Sequence, residues 1–178
     1  MTGSVATQGY FLTTDRLGFR IWRTDDLDLA VVLWSDPEVA RYIHAQGPPD
    51  RAAVAERLQR EIATQDSYGF QYWPIFLRAD GDHVGCCGLR PYRSEQGIHE
   101  LGVHLRPCYW QKGLAVEAAR AAIDFAFSRA GARALFAGHN PANAASRRML
   151  EKLGFRYTHD ELYPPTGLNH PSYLLSRD

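Results

Sequence analysis

Residues 106–118 read Arg-Pro-Cys-Tyr-Trp-Gln-Lys-Gly-Leu-Ala-Val-Glu-Ala. A β-like run from Leu101 to Leu105 stops at Pro107, a tight segment centred on Gly113 follows, and an Ala-rich amphipathic helix comes next. A strand, a glycine turn and a helix N-terminus together make an anion site. Unpaired backbone N–H groups and the positive end of the helix dipole converge there. Gly113 lets the backbone approach a phosphate closely. The chemistry expected is binding of a phosphate-bearing ligand. Two common nucleotide loops are excluded by residue type. A Walker A loop needs Gly-x-x-x-x-Gly-Lys-Ser/Thr, whereas here Lys112 precedes Gly113 and position 108 is Cys. A dinucleotide fingerprint needs several glycines, and this loop has only Gly113.

Other reactive side chains are fewer. Glu100 and His104 share one face of the strand before the loop, and Val103 and Leu105 share the other, because side chains alternate along a strand. His99 and His104 point oppositely, and His44, His139 and His170 fall in separate loops, so no metal set is expected. Cys86 and Cys87 are adjacent and Cys108 stands alone. That spacing makes neither a disulfide framework nor a zinc site, and buried reduced thiols are expected.

The whole chain bounds the function classes. Its 178 residues suit one domain with a substantial core. A hydrophobic fraction of 45% with 12% aromatics argues for a folded globular protein. Lys and Arg number 20, as do Asp and Glu, so no electrostatic footprint for nucleic acid or an anionic membrane is expected. The first ten residues do not read as a signal peptide. No stretch nears the roughly 18 apolar residues of a membrane span, and a cytoplasmic protein is expected.

The elements that must position the loop read as follows. Residues 1–12 look like a loose lead-in, and Leu17 to Trp22 like a first strand. Helices are expected over about 27–35, after Asp36-Pro37, and after Asp50 with Val54, Leu58 and Ile62 on one face. Phe70 to Ala79, His83 to Pro91 and Ile98 to Arg106 read as an antiparallel meander, with a hairpin at Asp80-Gly81-Asp82. The helix from Leu114 to about Ala130 is expected to bury Val116, Ala119, Ile123, Ala126 and Phe127. A short buried strand (Ala134 to Gly138), a helix (Asn143 to Leu153, stopped by Gly154) and a last strand near 172–176 close the chain. The fold class is α+β, a single domain over 1–178 with a mixed central sheet of about six to seven strands flanked by helices.

Trp110-Gln111-Lys112-Gly113-Leu114-Ala115 resembles the pyrophosphate loop of the GNAT acyl-CoA N-acyltransferases, Gln/Arg-x-x-Gly-x-Gly/Ala, with Trp110 where Gln or Arg is usual. A Trp there resembles the branch of the ribosomal-protein acetyltransferases RimJ and RimL. Thr14-Asp15-Arg16-Leu17 with Arg20 resembles that branch's opening. Glu100-Leu101-Gly102-Val103 resembles its central strand, and Asn143 to Ser146 with Met149 to Phe155 its second motif helix. Together these motifs span most of the chain in order.

The resemblance implies acetyl-CoA as co-substrate, with no metal, and a splayed central strand that admits it. Amides of Gln111 to Ala115 would hold the pyrophosphate, with charge from Lys112. Backbone groups of Val103, His104 and Leu105 would pair with the pantetheine arm, and a bulge near Gly102 would part the strands. Asn143 would bond the pantetheine amides, besides capping its helix. Ser146 would neighbour the CoA sulfur, since Met149 stands where many relatives carry a tyrosine acid. Arg148 could reach CoA phosphates or simply face solvent. Attack on a thioester needs a neutral amine, so a base helps. Glu100 is the best candidate base, with a structural salt bridge as its alternative, and His104 is a weaker one. The acceptor amine would meet helices over 27–65 and the segment 158–170, carrying Trp34, Tyr42, His44, Tyr68, Tyr163 and His170. A protein N-terminus, a small amine and an amino acid all remain open as acceptors, and a homodimer is allowed. Two other classes remain beside the enzyme: an acyl-CoA-binding sensor without turnover, and a nucleotide-dependent kinase.

Overall fold

The computed structural model describes residues 9–177. Eight strands build one sheet: β1 (Leu12–Thr13), β2 (Leu17–Phe19), β3 (Tyr72–Leu77), β4 (His83–Arg93), β5 (Ile98–Leu105), β6 (Ala134–Gly138), β7 (Arg156–Tyr163) and β8 (Leu168–Ser176). Their order across the sheet is β1-β2-β3-β4-β5-β6-β8-β7. Every pair is antiparallel except β5 with β6. The helices are α1 (Leu27–Trp34), α2 (Pro37–Ala40), α3 (Arg51–Tyr68), α4 (Leu114–Ser128) and α5 (Ala144–Lys152).

The sheet has helices on both faces, and β4 shows why. Cys86 and Cys87 are neighbours, yet alternation sends them into different cores. Cys87 packs with Trp73, Leu101, Leu105 and the buried side of α4. Cys86 packs with Trp22, Tyr72 and the α1 and α3 residues Leu33, Trp34, Val54 and Leu58. Both thiols are buried, as expected, whereas Cys108 is exposed. It sits in the short 3-10 turn Pro107–Tyr109, outside either core.

Local chemistry sets the helix ends. Asp50 caps α3 by accepting from the Ala53 amide, and the helix stops at Gly69 with φ of 77°. Asp36 accepts from the Glu38 and Val39 amides to start α2 at Pro37. The buried stripe of α4 is Leu114, Ala118, Ala119, Ala122 and Ala126. Val116, Ile123 and Phe127, expected inside, are half-buried on its flanks. The alanines bring the helix close to the sheet, and the bulkier residues fill the margins.

Three expectations change. The first strand ends at Phe19 rather than Trp22, because Arg20 turns away to pair with Asp26 through two hydrogen bonds of 2.7 and 2.8 Å. The sheet has eight strands, more than the six to seven expected. Two strands were not expected: β1, which falls at the end of the expected lead-in, and β7, which is exposed over Arg156–Asp160 and alternates only from Glu161 to Tyr163. The expected bulge at Gly102 is absent, since β4 and β5 stay in register from Leu89↔Leu101 to Gly85↔Leu105. Gly102 is needed for another reason: a Cβ there would lie 2.1 Å from Cζ of Tyr72. Of the expected lead-in, residues 1–8 lie outside the described residues. Phe11 packs edge-on against Trp73 and Phe125, and its amide donates to the Phe19 carbonyl.

The feature that positions the site is the parting of β5 from β6. They pair only over Ile98–Glu100 and Ala134–Phe136. Beyond Glu100 the two strands diverge, leaving the edge of Leu101–Leu105 without a ladder partner on that side. One arm of this V leads into α4 and the other into α5.

Candidate active site

The first arm ends in a helix N-terminus built to stay open. After the turn Pro107–Tyr109, the Trp110 indole donates to the Leu105 carbonyl at 2.8 Å, tying the loop back to β5. Gln111 and Gly113 both take left-handed backbone, at φ of 59° and 75°. No side chain caps α4 at Gly113. A Cβ on Gly113 would meet nothing within 4 Å except Nη2 of Arg16 at 3.5 Å. The start of this 15-residue helix is therefore exposed at Gly113 and without a side-chain cap, an arrangement suited to phosphate. Gln111 and Lys112 are exposed, while Leu114 is buried and Ala115 half-buried.

A latch from the start of the chain holds this terminus. Glu117, in the first turn of α4, accepts from the Thr14 hydroxyl at 2.6 Å, the Arg16 amide at 2.9 Å and Nε of Arg16 at 2.7 Å. The same guanidinium donates to the Lys112 carbonyl at 2.9 Å. Burial would raise the Glu117 carboxyl, but the hydrogen bonds from Thr14 and Arg16 hold it below its ordinary value. The sequence pointed to Thr14-Asp15-Arg16 as a motif without saying what it does. Its partner, Glu117, lies about a hundred positions away, and no local signal joins them.

Along β5, Val103 and Leu105 belong to the core that receives α4, while Glu100 and His104 face α3. Glu100 occupies the last paired position before the strands part, opposite Phe136. Burial raises its carboxyl, and Arg90 and the Tyr72 hydroxyl oppose that rise. His104 is pushed well below the ordinary imidazole value, first by burial and then by Arg57, Arg90 and His44. Its Nδ1 accepts from Nη2 of Arg57 at 3.4 Å, so the neutral ring carries its proton on Nε2. With its proton affinity lowered and its Nδ1 lone pair turned to Arg57, the ring is a weak base.

Sequence reading missed the polar cluster on this face. Glu61, 2% exposed, pairs with Arg90 and accepts from the Tyr72 amide at 3.0 Å. The Arg90 guanidinium lies over the Tyr72 ring, 4.1 Å from its centroid. Arg57 lies over Trp34 at 4.0 Å. A signal was available: Arg57 and Glu61 share a helix face with Val54 and Leu58, where an exposed helix would not put charge.

The second arm starts α5. Asn143 is its cap, accepting from the Ser146 amide at 3.1 Å. Asn143 and Ser146 are half-buried, and Arg148 is exposed. Arg147 pairs with Glu151 on the surface. The structure thus joins Asn143 to Ser146 on one arm and Leu105 to the Trp110 loop on the other.

Beyond the cluster lies a cleft of about 610 Å³ between residues 44–49 and 164–167. The Ala45 amide donates to the Pro165 carbonyl at 3.0 Å, and the Asn140 amide to the Tyr42 carbonyl at 3.3 Å. Of the residues expected to meet the acceptor, His44 lines the cleft. Tyr163 and His170 sit beside it, ring to ring at 4.7 Å. Trp34 is core, and Tyr68 stacks on Phe70.

Similarity to known proteins agrees with this geometry. A family profile described as "Acetyltransferase (GNAT) domain" matches residues 16–156. YkkB, an uncharacterized protein of Bacillus subtilis (strain 168), is 32% identical over 149 residues, which are 83% of this chain and 86% of YkkB. The uncharacterized N-acetyltransferase p20 of Bacillus licheniformis is 28% identical over 145 residues, 82% of each chain. In fold, the chain is like RimL, the ribosomal L7/L12 alpha-N-protein acetyltransferase solved with coenzyme A. That likeness has a TM-score of 0.78 at 13% identity, over 92% of this chain and 95% of RimL. The family match runs from the Arg16 latch through the Gly113 loop and the Asn143 helix, and the chain belongs to the GNAT acetyltransferase family.

Proposed function

We propose that this chain transfers an acetyl group from acetyl-CoA to a primary amine by direct attack on the thioester. The observation that carries the proposal is the V between β5 and β6, with the uncapped N-terminus of α4 on one arm. The amides from Gln111 to Ala115 take the pyrophosphate, with Lys112 adding charge. The Val103–Leu105 edge, free of a ladder partner, pairs with the pantetheine arm and polarises the thioester carbonyl through a backbone N–H. Asn143 and Ser146 flank that arm from α5, and Arg148 is free to meet a CoA phosphate.

The amine nitrogen bonds to the carbonyl carbon, and the carbon–sulfur bond breaks. Glu100, at the vertex, takes the ammonium proton through water. Its raised pKa suits a base that must still be ionised near neutrality. The CoA sulfur leaves as thiolate and takes up, through water, the second proton that the nitrogen sheds as the amide forms, so Ser146 is a neighbour more than an acid. His104 stays neutral and orients through Arg57.

Thiol release from acetyl-CoA over a panel of amines tests the proposal. Release with at least one amine is expected, and Glu100→Gln should lower kcat at neutral pH and flatten its rise with pH. Tight acetyl-CoA binding with no release from any amine, and no effect of Glu100→Gln, would make the chain a CoA-binding module instead. Competition by ATP but not CoA would point to the kinase class.

A further inference from the structure

We infer that Arg57 is the receptor for an anionic group on the acceptor, so that the amine acetylated carries a carboxylate. This rests on the acetyl-transfer reading of the same site and names its substrate class.

The argument starts from an imbalance. Arg57 is 9% exposed, and its Nε is buried with no hydrogen-bond partner. Its hydrogen bond goes to a neutral acceptor, Nδ1 of His104 at 3.4 Å, and its plane lies over Trp34. Among the described residues no carboxylate lies within ion-pair distance of it. Glu61, one turn along α3, is committed to Arg90 and the Tyr72 amide. A buried charge without a counter-charge is costly.

The chain solves the same problem elsewhere. Arg20, 8% exposed, donates to both oxygens of Asp26 at 2.7 and 2.8 Å. Arg90 has Glu61. Arg57 alone of these three lacks its carboxylate, and a guanidinium fork is shaped to take one. The ring of Trp34 offsets only part of the cost.

Position supplies the rest. Arg57 touches His104, the residue after Val103, so its charge stands beside the strand edge that receives the thioester. Toward the outside its charge, second to burial, depresses His44, which lines the cleft of about 610 Å³. It is felt as well at Tyr163, beside that cleft. A ligand entering there meets a cation at Arg57 and a carboxyl at Glu100 on the same sheet face. An amino acid has the complementary poles: its carboxylate to Arg57, its ammonium toward Glu100.

Calorimetry on the CoA-saturated protein tests this without turnover. The probes are N-acetyl amino acids and their matched carboxamides, one pair for each standard side chain. The best-bound acid should bind about tenfold or more tighter than its amide, the range of a partly desolvated charge pair. Arg57→Met should abolish that preference and leave CoA affinity unchanged, and Arg57→Gln should do the same with a donor retained. Equal binding of acid and amide, no binding of any acid, or a preference that survives in either folded variant would overturn the inference. If neither variant folds, the wild-type pairs decide alone. The two readings fail separately. Acids that bind in a protein that acetylates nothing would refute the enzyme and keep the anion site. Equal transfer to amino acids and their amides would refute the anion site and keep the enzyme.

Discussion

His83 opens β4 as a buried ring, 5% exposed, between the rings of Trp22 and Phe76 at 5.8 and 5.3 Å. Neither ring nitrogen has a hydrogen-bond partner among the described residues. Burial first, then Arg106 and Arg20, disfavour the charged ring, and the Gly85 backbone and Asp26 offset this only in part, so its pKa falls to about 4. The perturbation is acid, and the control is His83→Phe. Each tenfold difference in proton affinity is worth about 1.4 kcal/mol. A ring that titrates at 6.5 unfolded and about 4 folded therefore destabilises the protein by about 3 kcal/mol once both states are charged. The sign follows from which state takes the proton. Between those two values the unfolded chain binds it and the folded chain does not, so stability falls as pH drops from 6.5 and the loss levels off below about 4. Against a typical total of about 5–15 kcal/mol, this is a large share. Urea unfolding at steps from pH 7.5 to 4 measures it, with circular dichroism to confirm that both proteins start folded. Wild type should lose about 3 kcal/mol more than His83→Phe over that range. Other histidines titrate in both proteins and cancel in the difference. Parallel stability curves would refute the reasoning, because they would mean that His83 is hydrated or paired in the folded state.

Three further outcomes are expected. Gly113→Ala keeps the open space above the loop but forces a side chain into left-handed backbone, so unfolding should cost about 1–2 kcal/mol less, while KM for acetyl-CoA rises; equal KM would show that the loop does not meet the cofactor. Glu117→Gln weakens the latch to Thr14 and Arg16 and should lower stability by about 1–2 kcal/mol and CoA affinity with it, seen by urea titration and calorimetry. Gly102→Ala drives a Cβ into the buried Tyr72 ring, so a loss of about 1–3 kcal/mol is expected by thermal unfolding, with no loss if the ring can swing away.

Much of the molecule was legible from local chemistry. The caps at Asp36, Asp50 and Asn143 mark helix starts because an unpaired amide needs an acceptor nearby in sequence. The three central strands show themselves through hairpin residues and β-branched or aromatic runs. The phosphate loop is legible because strand, glycine and helix N-terminus are contiguous. What escaped was non-local or unpatterned. Strand β7 is exposed over its first five residues and alternates only from Glu161 to Tyr163. The stripe of α4 was misjudged by size: Val116, Ile123 and Phe127 are more apolar than alanine yet only half-buried, with Ile123 and Phe127 packed against the margin of the core.

By itself, the sequence determined where the chain turns, which segment joins a strand, a glycine and a helix N-terminus, and that Glu100 and His104 share a face. Those follow from spacing along the backbone. Only the tertiary structure decided what those residues mean. It placed Glu100 at the vertex where β5 and β6 part, a position defined by Phe136 on another strand. It buried His104 and set Arg57 against it, which together hold the imidazole below its ordinary value, and it left a buried cation without an anion among the described residues. It closed Thr14 and Arg16 onto Glu117. Charge in a low-dielectric interior depends on every group within a few ångströms, and those groups are assembled by folding rather than by sequence order.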